Sequence, residues 1–179
     1  MKLIIPDPAL VLLIGVAGCG KSTFARRHFR ATEILSSDFF RGLITDDESD
    51  QTVTAEAFQV LHLIAGRRLH HRRLTVVDAT SVQQRARRPL LRLARRYDVP
   101  AIALVFNLPA AICLERAARR ADRQVSPVVI YEQFQSLQRS LLTLPHEGFQ
   151  RVFRFNSPDE IETAVIERPA GSAGTVTIT

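Results

Sequence analysis

One run constrains the fold of this chain more than any other. Residues 15–22 read Gly-Val-Ala-Gly-Cys-Gly-Lys-Ser, an unbroken match to G-x-x-x-x-G-K-[ST]. An apolar segment, residues 9–14, precedes it, and a helix-patterned segment, residues 21–28, follows it. The chemistry needs that context. Glycines let the backbone turn tightly and aim successive N–H groups inward, where they cradle phosphate oxygens. A lysine at position 21 reaches β- and γ-phosphates, and a serine at 22 offers its hydroxyl to Mg²⁺. The nucleotide-binding set is therefore Gly15, Gly18, Cys19, Gly20, Lys21, Ser22 and Thr23, with Ser22 the metal ligand.

Such a loop demands a parallel sheet, and the rest of the chain supplies one. Strand-like runs occur at residues 9–14, 33–36, 74–77, 101–106 and 151–155. Helix-like runs lie between them at 21–28, 54–69, 82–97, 109–118 and 127–144, two of them opening on proline, which is tolerated in a first turn. Alternation of this kind predicts an α/β, three-layer fold of the P-loop NTPase type. A parallel five-stranded central sheet is flanked by helices. Ligands of such sheets bind at the carboxyl ends of the strands.

The 179 residues fit one domain, assigned to residues 1–168. Residues 169–179 are small and polar, and read as a flexible tail or the start of a linker. With 46% hydrophobic and 23% charged residues, the chain is neither disordered nor fibrous. No apolar run approaches the roughly 20 residues of a bilayer span. Pro6, Asp7 and Pro8 precede the run 9–14, which reads as a buried strand rather than an export signal. A cytoplasmic protein without membrane contact is expected. Its two cysteines, Cys19 and Cys113, make neither a disulfide framework nor a zinc cluster, and are expected to be reduced.

The net charge is +6, and of 24 basic residues only Lys2 and Lys21 are lysines, so 22 are arginines. Such an excess reflects either base composition of the gene or affinity for phosphates, which arginine grips bidentately. Arg116, Arg120 and Arg123 share one helical face, with Arg119 off it. They follow the fourth strand, where an Arg-rich lid would close over a nucleotide and neutralise transition-state charge. A solvated face paired with Glu115 and Asp122 is the alternative. Arg85, Arg87, Arg88, Arg92, Arg95 and Arg96 read as the solvated outer face of one helix, with nucleic-acid contact as a secondary role.

Two acids compete for the base and metal roles. Asp38 follows the second strand in Ser36-Ser37-Asp38 and can take a proton from an attacking hydroxyl, or act as a helix N-cap. Arg41, three residues on, can orient it or bind an acceptor phosphate. Asp78 ends the apolar strand Leu-Thr-Val-Val-Asp, as a metal-water ligand would. Spacing does not decide between them.

The combination of motifs resembles the kinase module of the bacterial polynucleotide kinase-phosphatase family, which heals 5′-OH ends in RNA repair. The matching stretches are residues 15–24, 36–47 (SSDFFRGLITDD), 50–54 (DQTVT), 74–80 (LTVVDAT), 105–109 (VFNLP), 122–125 (DRQV) and 156–158 (NSP). The resemblance implies an ATP-dependent polynucleotide 5′-hydroxyl kinase acting on RNA or DNA ends. Asp38 would be the general base, and Arg41 would engage that base and the acceptor's phosphate. Gln51 would be a further acceptor contact, and Asp78 a structural or supporting residue. Lys21, Arg116 and Arg123 would act on the transferring phosphoryl group, and Arg120 would join the lid arginines on ATP. It also implies phosphatase and ligase-like modules in a longer parent chain. Two departures stand out: Ser81 occupies a place usually held by Asn, and Val16, Ala17 and Cys19 replace small serines. A sugar or nucleoside kinase on the same scaffold is the alternative enzyme, and a nucleotide-gated binding module the alternative to an enzyme.

Overall fold

The computed structural model describes residues 1–119 and 125–169. Its centre is a five-stranded sheet built from β2 (Leu10–Gly15), β3 (Ile34–Ser36), β4 (Thr75–Asp78), β5 (Ala101–Phe106) and β6 (Arg151–Phe155). All four pairings are parallel, in the order β3-β4-β2-β5-β6. Every residue of β2, β4 and β5 is buried. A parallel strand covered on both faces is written as an unbroken apolar run, and LVLLIG and AIALVF are such runs.

The helices are α1 (Lys21–His28), α2 (Ser37–Thr45), α3 (Thr54–His70), α4 (Gln84–Arg96), α5 (Ala110–Ala118), α6 (Pro127–Thr143) and the short α7 (Pro158–Glu162). Phe24 fixes α1 to the sheet. Its ring lies 5.5 Å from that of Phe106 and 5.3 Å from that of Phe155, and those two are 5.1 Å apart. The helix after the glycine loop is thus anchored on two neighbouring strands, with aromatic pairs each contributing about 0.5–1.5 kcal/mol beyond area burial.

Three features depart from the sequence reading. A second, two-stranded parallel sheet joins β1 (Lys2–Ile4) to β7 (Val165–Glu167), with Lys2 and Glu167 in ion contact at 2.7 Å. Just beyond β7, Arg168 grips Glu33 through two hydrogen bonds of 2.9 and 3.0 Å and also donates to the His28 carbonyl. Residues near 168 are thereby tied to the entry of β3.

The second departure is α2. Ser36, not Asp38, is its N-cap, accepting a hydrogen bond from Phe39 N–H. Asp38 sits inside the first turn, where a carboxylate suits the helix dipole. The third is Arg87. The arginines of α4 do not all face solvent: Arg87 is fully buried. Its guanidinium donates to both Glu147 oxygens (2.7 and 2.5 Å), the Ser81 carbonyl (2.8 Å) and Ser140 Oγ (3.3 Å). It belongs to the core of the junction between α4, α6 and the approach to β6.

Candidate active site

The glycine loop leaves β2 at Gly15 and enters α1 at Lys21. Gly18 and Gly20 have φ of +79° and +98°, a left-handed conformation that other residues adopt only under strain. A Cβ on Gly18 would come within 2.3 Å of the Cys113 carbonyl oxygen on α5. Gly20 is the N-cap of α1 and brings no side chain to its free N–H groups. An unfilled helix N-terminus beside inward-facing amides fits an anion.

Lys21 is buried, and its ammonium donates to the Gly15 and Val16 carbonyls at 2.9 and 2.8 Å, with Cys19 Sγ at 3.6 Å. Its charge is thereby held over the loop. Cys19 and Cys113 are free and buried, and burial pushes the Cys113 thiol up to about 12. One loop contact had no sequence signal: the Ala17 N–H donates to Gln133 Oε1 on α6 at 2.9 Å.

Both acids reach the same cavity, because β3 and β4 end side by side with Ser36 opposite Asp78. Asp78 is buried, and burial raises its pKa against the opposing charge of Lys21 and a hydrogen bond from Ser22. The Ser22–Asp78 pair fits a hydrated Mg²⁺ on phosphate oxygens, an ion that takes few protein ligands. Among the described residues no cluster of three or more His, Cys, Asp or Glu could hold a metal by itself. Asp38 keeps 31% of its side chain exposed, pairs with Arg41 and accepts a hydrogen bond from Ser37 Oγ at 3.2 Å. Arg41 is only 3% exposed, and its Nε donates to the Glu48 carbonyl at 2.8 Å.

The cavity measures about 580 Å³ and takes in Gly18, Gly20, Lys21, Ser22, Thr23, Asp38, Asp78 and Arg116. That volume suits a nucleotide with an acceptor end beside it. Arg116 hangs over the loop, since a Cβ on Gly20 would lie 3.7 Å from its Nη1. Arg119 turns away to Glu115, at 2.6 Å. Arg120 and Arg123 lie outside the described residues. Gln51 does not line the cavity; it is exposed at the approach to α3 and donates to the Ser49 carbonyl at 3.1 Å. The sequence reading missed Arg26 and Arg27 of α1 and Pro158, Ile161 and Glu162 of α7, all of which line the cavity. The spacing of Arg26, four residues after Ser22, is the one signal that could have found any of them.

The AAA domain family matches this chain over residues 10–144. No curated protein matches it. Among solved structures, a chain of the Pnkp1/Rnl/Hen1 RNA repair complex superposes with a TM-score of 0.67 at 22% identity, over 78% of this chain and 47% of its own. The present chain thus spans about half the length of that one. The Mycobacterium tuberculosis APS kinase CysC, solved with AMPPNP and APS, gives 0.50 at 21% identity, over 64% and 71%. A gluconokinase from Sinorhizobium meliloti 1021 gives 0.53 at 16%, over 88% and 87%. At these identities the likeness is one of fold, that of P-loop kinases.

Proposed function

This chain belongs to the AAA domain family, and on that premise we propose that it is an ATP- and Mg²⁺-dependent polynucleotide 5′-hydroxyl kinase. The observation that carries the reading is the Asp38–Arg41 pair sharing one cavity with Lys21 and Ser22. A half-open carboxylate held by a buried guanidinium, facing a phosphate loop, is the arrangement an alcohol acceptor needs. The arginine excess, the residue-level resemblance at 36–54 and the fold likeness to a chain of an RNA repair complex support a nucleic-acid acceptor.

Asp38 accepts the proton of the 5′-OH as that oxygen bonds to the γ-phosphorus. The bond from the γ-phosphorus to the β,γ-bridging oxygen breaks, and ADP leaves. Lys21 and Arg116 stabilise the spreading negative charge, with Arg120 and Arg123 as further lid residues. Ser22 would hold Mg²⁺, with Asp78 behind it, and the bound ion would supply positive charge to the donor phosphates. Arg41 fixes the rotamer of Asp38, and Gln51 contacts the acceptor strand as it approaches. Residues 1–168 form the kinase unit of a cytoplasmic protein.

The test is γ-phosphate transfer from ATP to a short 5′-OH oligonucleotide, as RNA and as DNA, by the wild type and by Asp38→Ala. Transfer by the wild type alone, with ATP binding retained in the variant, is the expected result. Wild-type transfer to sugars or nucleosides but to no oligonucleotide would replace this reading by a small-molecule kinase. ATP binding without transfer to any alcohol would make the chain a binding module.

A further inference from the structure

We propose that the outer face of α4 is a track for the acceptor's sugar-phosphate backbone, holding the strand beyond its reacting 5′ end. This rests on the nucleic-acid reading above and names the surface that takes the body of the strand.

The face is defined by what α4 buries. Arg87, Leu90, Leu91 and Ala94 point into the core. At about 100° per residue, positions 85, 88, 92 and 96 fall on the opposite side, three or four residues apart and so neighbours along the helix. All four are exposed arginines. From Arg85 to Arg96 the stripe is about 17 Å long, at about 1.5 Å per residue. One strand of a duplex presents about five phosphates over that length, at about 3.4 Å each.

No acid balances this charge. Between Glu56 and Asp98 the chain has ten arginines and one acid, Asp78, which is buried at the cavity. α3 packs beside α4 and has no acid after Glu56. The partners of the stripe are neutral. Arg85 donates to Gln83 Oε1 at 2.6 Å, Arg88 to Gln84 Oε1 at 3.0 Å, and Arg96 lies 5.6 Å from the centre of the Tyr97 ring. Among the described residues none of the four is in an ion pair. Arg119 shows the contrast, an exposed arginine paired with Glu115 four residues away. Like charges at that spacing repel, so the stripe weakens its own helix until a polyanion lies on it. Base composition of the gene would scatter arginines over every helix. Among the described residues no other helix has more than two, and α4 has six.

The stripe also begins where an acceptor strand leaves the site. β4 ends at the edge of the sheet where the cavity opens, and Thr80, two residues on, lines the cavity. Arg85 follows five residues later, at most about 18 Å along the chain. α4 then runs away from that edge toward the start of β5. With the reacting hydroxyl at Asp38, the backbone that trails from it passes over the rim and onto the stripe. Arginines on successive turns grip phosphates there without reading bases. A sugar or nucleoside acceptor has nothing to place on this face.

The experiment compares acceptor lengths. Wild type and a variant carrying Arg85→Gln, Arg88→Gln and Arg92→Gln are assayed on a 5′-OH dinucleotide and on a 5′-OH strand of roughly 20 nucleotides, long enough to cover the stripe. Wild type should have a KM about tenfold lower on the long strand. The triple variant should lose that advantage, with kcat, the dinucleotide KM and ATP affinity unchanged. Its slope of log KM on log salt for the long strand should fall by about 2, at about 0.7 for each contact. Lysine at the same three positions keeps the charge and should keep most of the advantage. Arg139→Gln, Arg151→Gln and Arg154→Gln together remove the same charge from α6 and β6 and should leave the advantage intact.

The same length advantage in wild type and the glutamine variant overturns the proposal, and so does a wild type that gains nothing from length. An equal loss in the α6 and β6 variant overturns it too, because net charge rather than the stripe would then hold the strand. Failure of the wild type to phosphorylate any oligonucleotide is a different outcome. It removes the nucleic-acid reading itself, and this assignment with it.

Discussion

Arg87 and Glu147 meet as a two-pronged ion pair, 2.7 and 2.5 Å long, with neither side chain open to solvent. Thr143 donates to the same carboxylate at 2.8 Å, and Ser140, beside the guanidinium, donates in turn to the Val82 carbonyl. Nearly every polar atom of the pair has a partner, which is the condition under which a buried pair is tolerated. Removing one member leaves an uncompensated buried charge. Arg87→Met should therefore cost about 3–5 kcal/mol, read as a lowered urea midpoint. Adding Glu147→Leu to that variant should recover much of the loss. A double variant no more stable than the single one would show that the pair's packing, rather than its charge, holds the junction.

Ser81, where the resembling family has Asn, is the residue whose carbonyl Arg87 grips. Its φ is +47°, and it is buried. Serine is strained in that region, where glycine is at ease. Ser81→Gly relieves left-handed strain of about 1–2 kcal/mol and costs about 0.5–1 kcal/mol of unfolded-chain entropy, so it should raise stability modestly without altering ATP affinity. Calorimetry and an ATP titration check both halves. A lowered Tm would mean that the serine hydroxyl contributes more than its backbone strain removes.

Two buried acids pull the pH dependence in opposite directions. Burial raises the pKa of Asp78 from the ordinary 3.8, so its ionised form is disfavoured in the fold. Its penalty is absent at low pH and grows as pH rises through the folded value, and Asp78→Asn removes it. That variant should be more stable than wild type at pH 7 and no more stable at pH 3, while its Mg²⁺ requirement for transfer rises. Glu33 behaves the other way. Burial opposes its ionisation, but the hydrogen bonds of Arg168 and the Arg30 backbone, with both guanidinium charges, outweigh burial and lower its pKa below 4.5. Its stabilisation is present above 4.5 and is lost as pH falls through the folded value. Arg168→Met should flatten that acid limb in a pH series of denaturation midpoints.

The central sheet was legible because its inner strands are buried on both faces and write themselves as apolar runs. The loop was legible because phosphate geometry fixes its spacing. The small sheet was not. β1 and β7 have three residues each, expose two of the three, and pair across about 160 positions, so neither carries a local signal. Arg87 misled for a related reason. An arginine among five others on one helix looks solvated, and its partner stands 60 residues away. Asp38 and Asp78 could not be ranked from spacing, since one follows a strand and the other ends one at the same edge. Their difference is burial, which depends on Lys21, Ser22 and the neighbouring helices.

Gln133 shows what such distance hides and gives the last expectation. It is a lone amide on α6, yet its Oε1 accepts the Ala17 N–H in the middle of the glycine loop. The same helix, one heptad on, donates from Ser140 to the Val82 carbonyl, and its Gln138 donates to Asn107 at the end of β5. α6 therefore braces three turns at the edge of the sheet where the cavity opens. Without the amide, the loop samples conformations in which its N–H groups no longer converge, and bound nucleotide must restore them. A half-buried hydrogen bond contributes about 1 kcal/mol, so Gln133→Leu should weaken ATP binding about fivefold. The denaturation midpoint should move little, because the core beneath the loop is untouched. Gln133→Glu keeps the acceptor but adds a negative charge beside the phosphates, and should weaken ATP more than Leu does. An ATP titration of the three proteins decides it: equal affinities would mean that the loop holds its shape from Gly18, Gly20 and Lys21 alone.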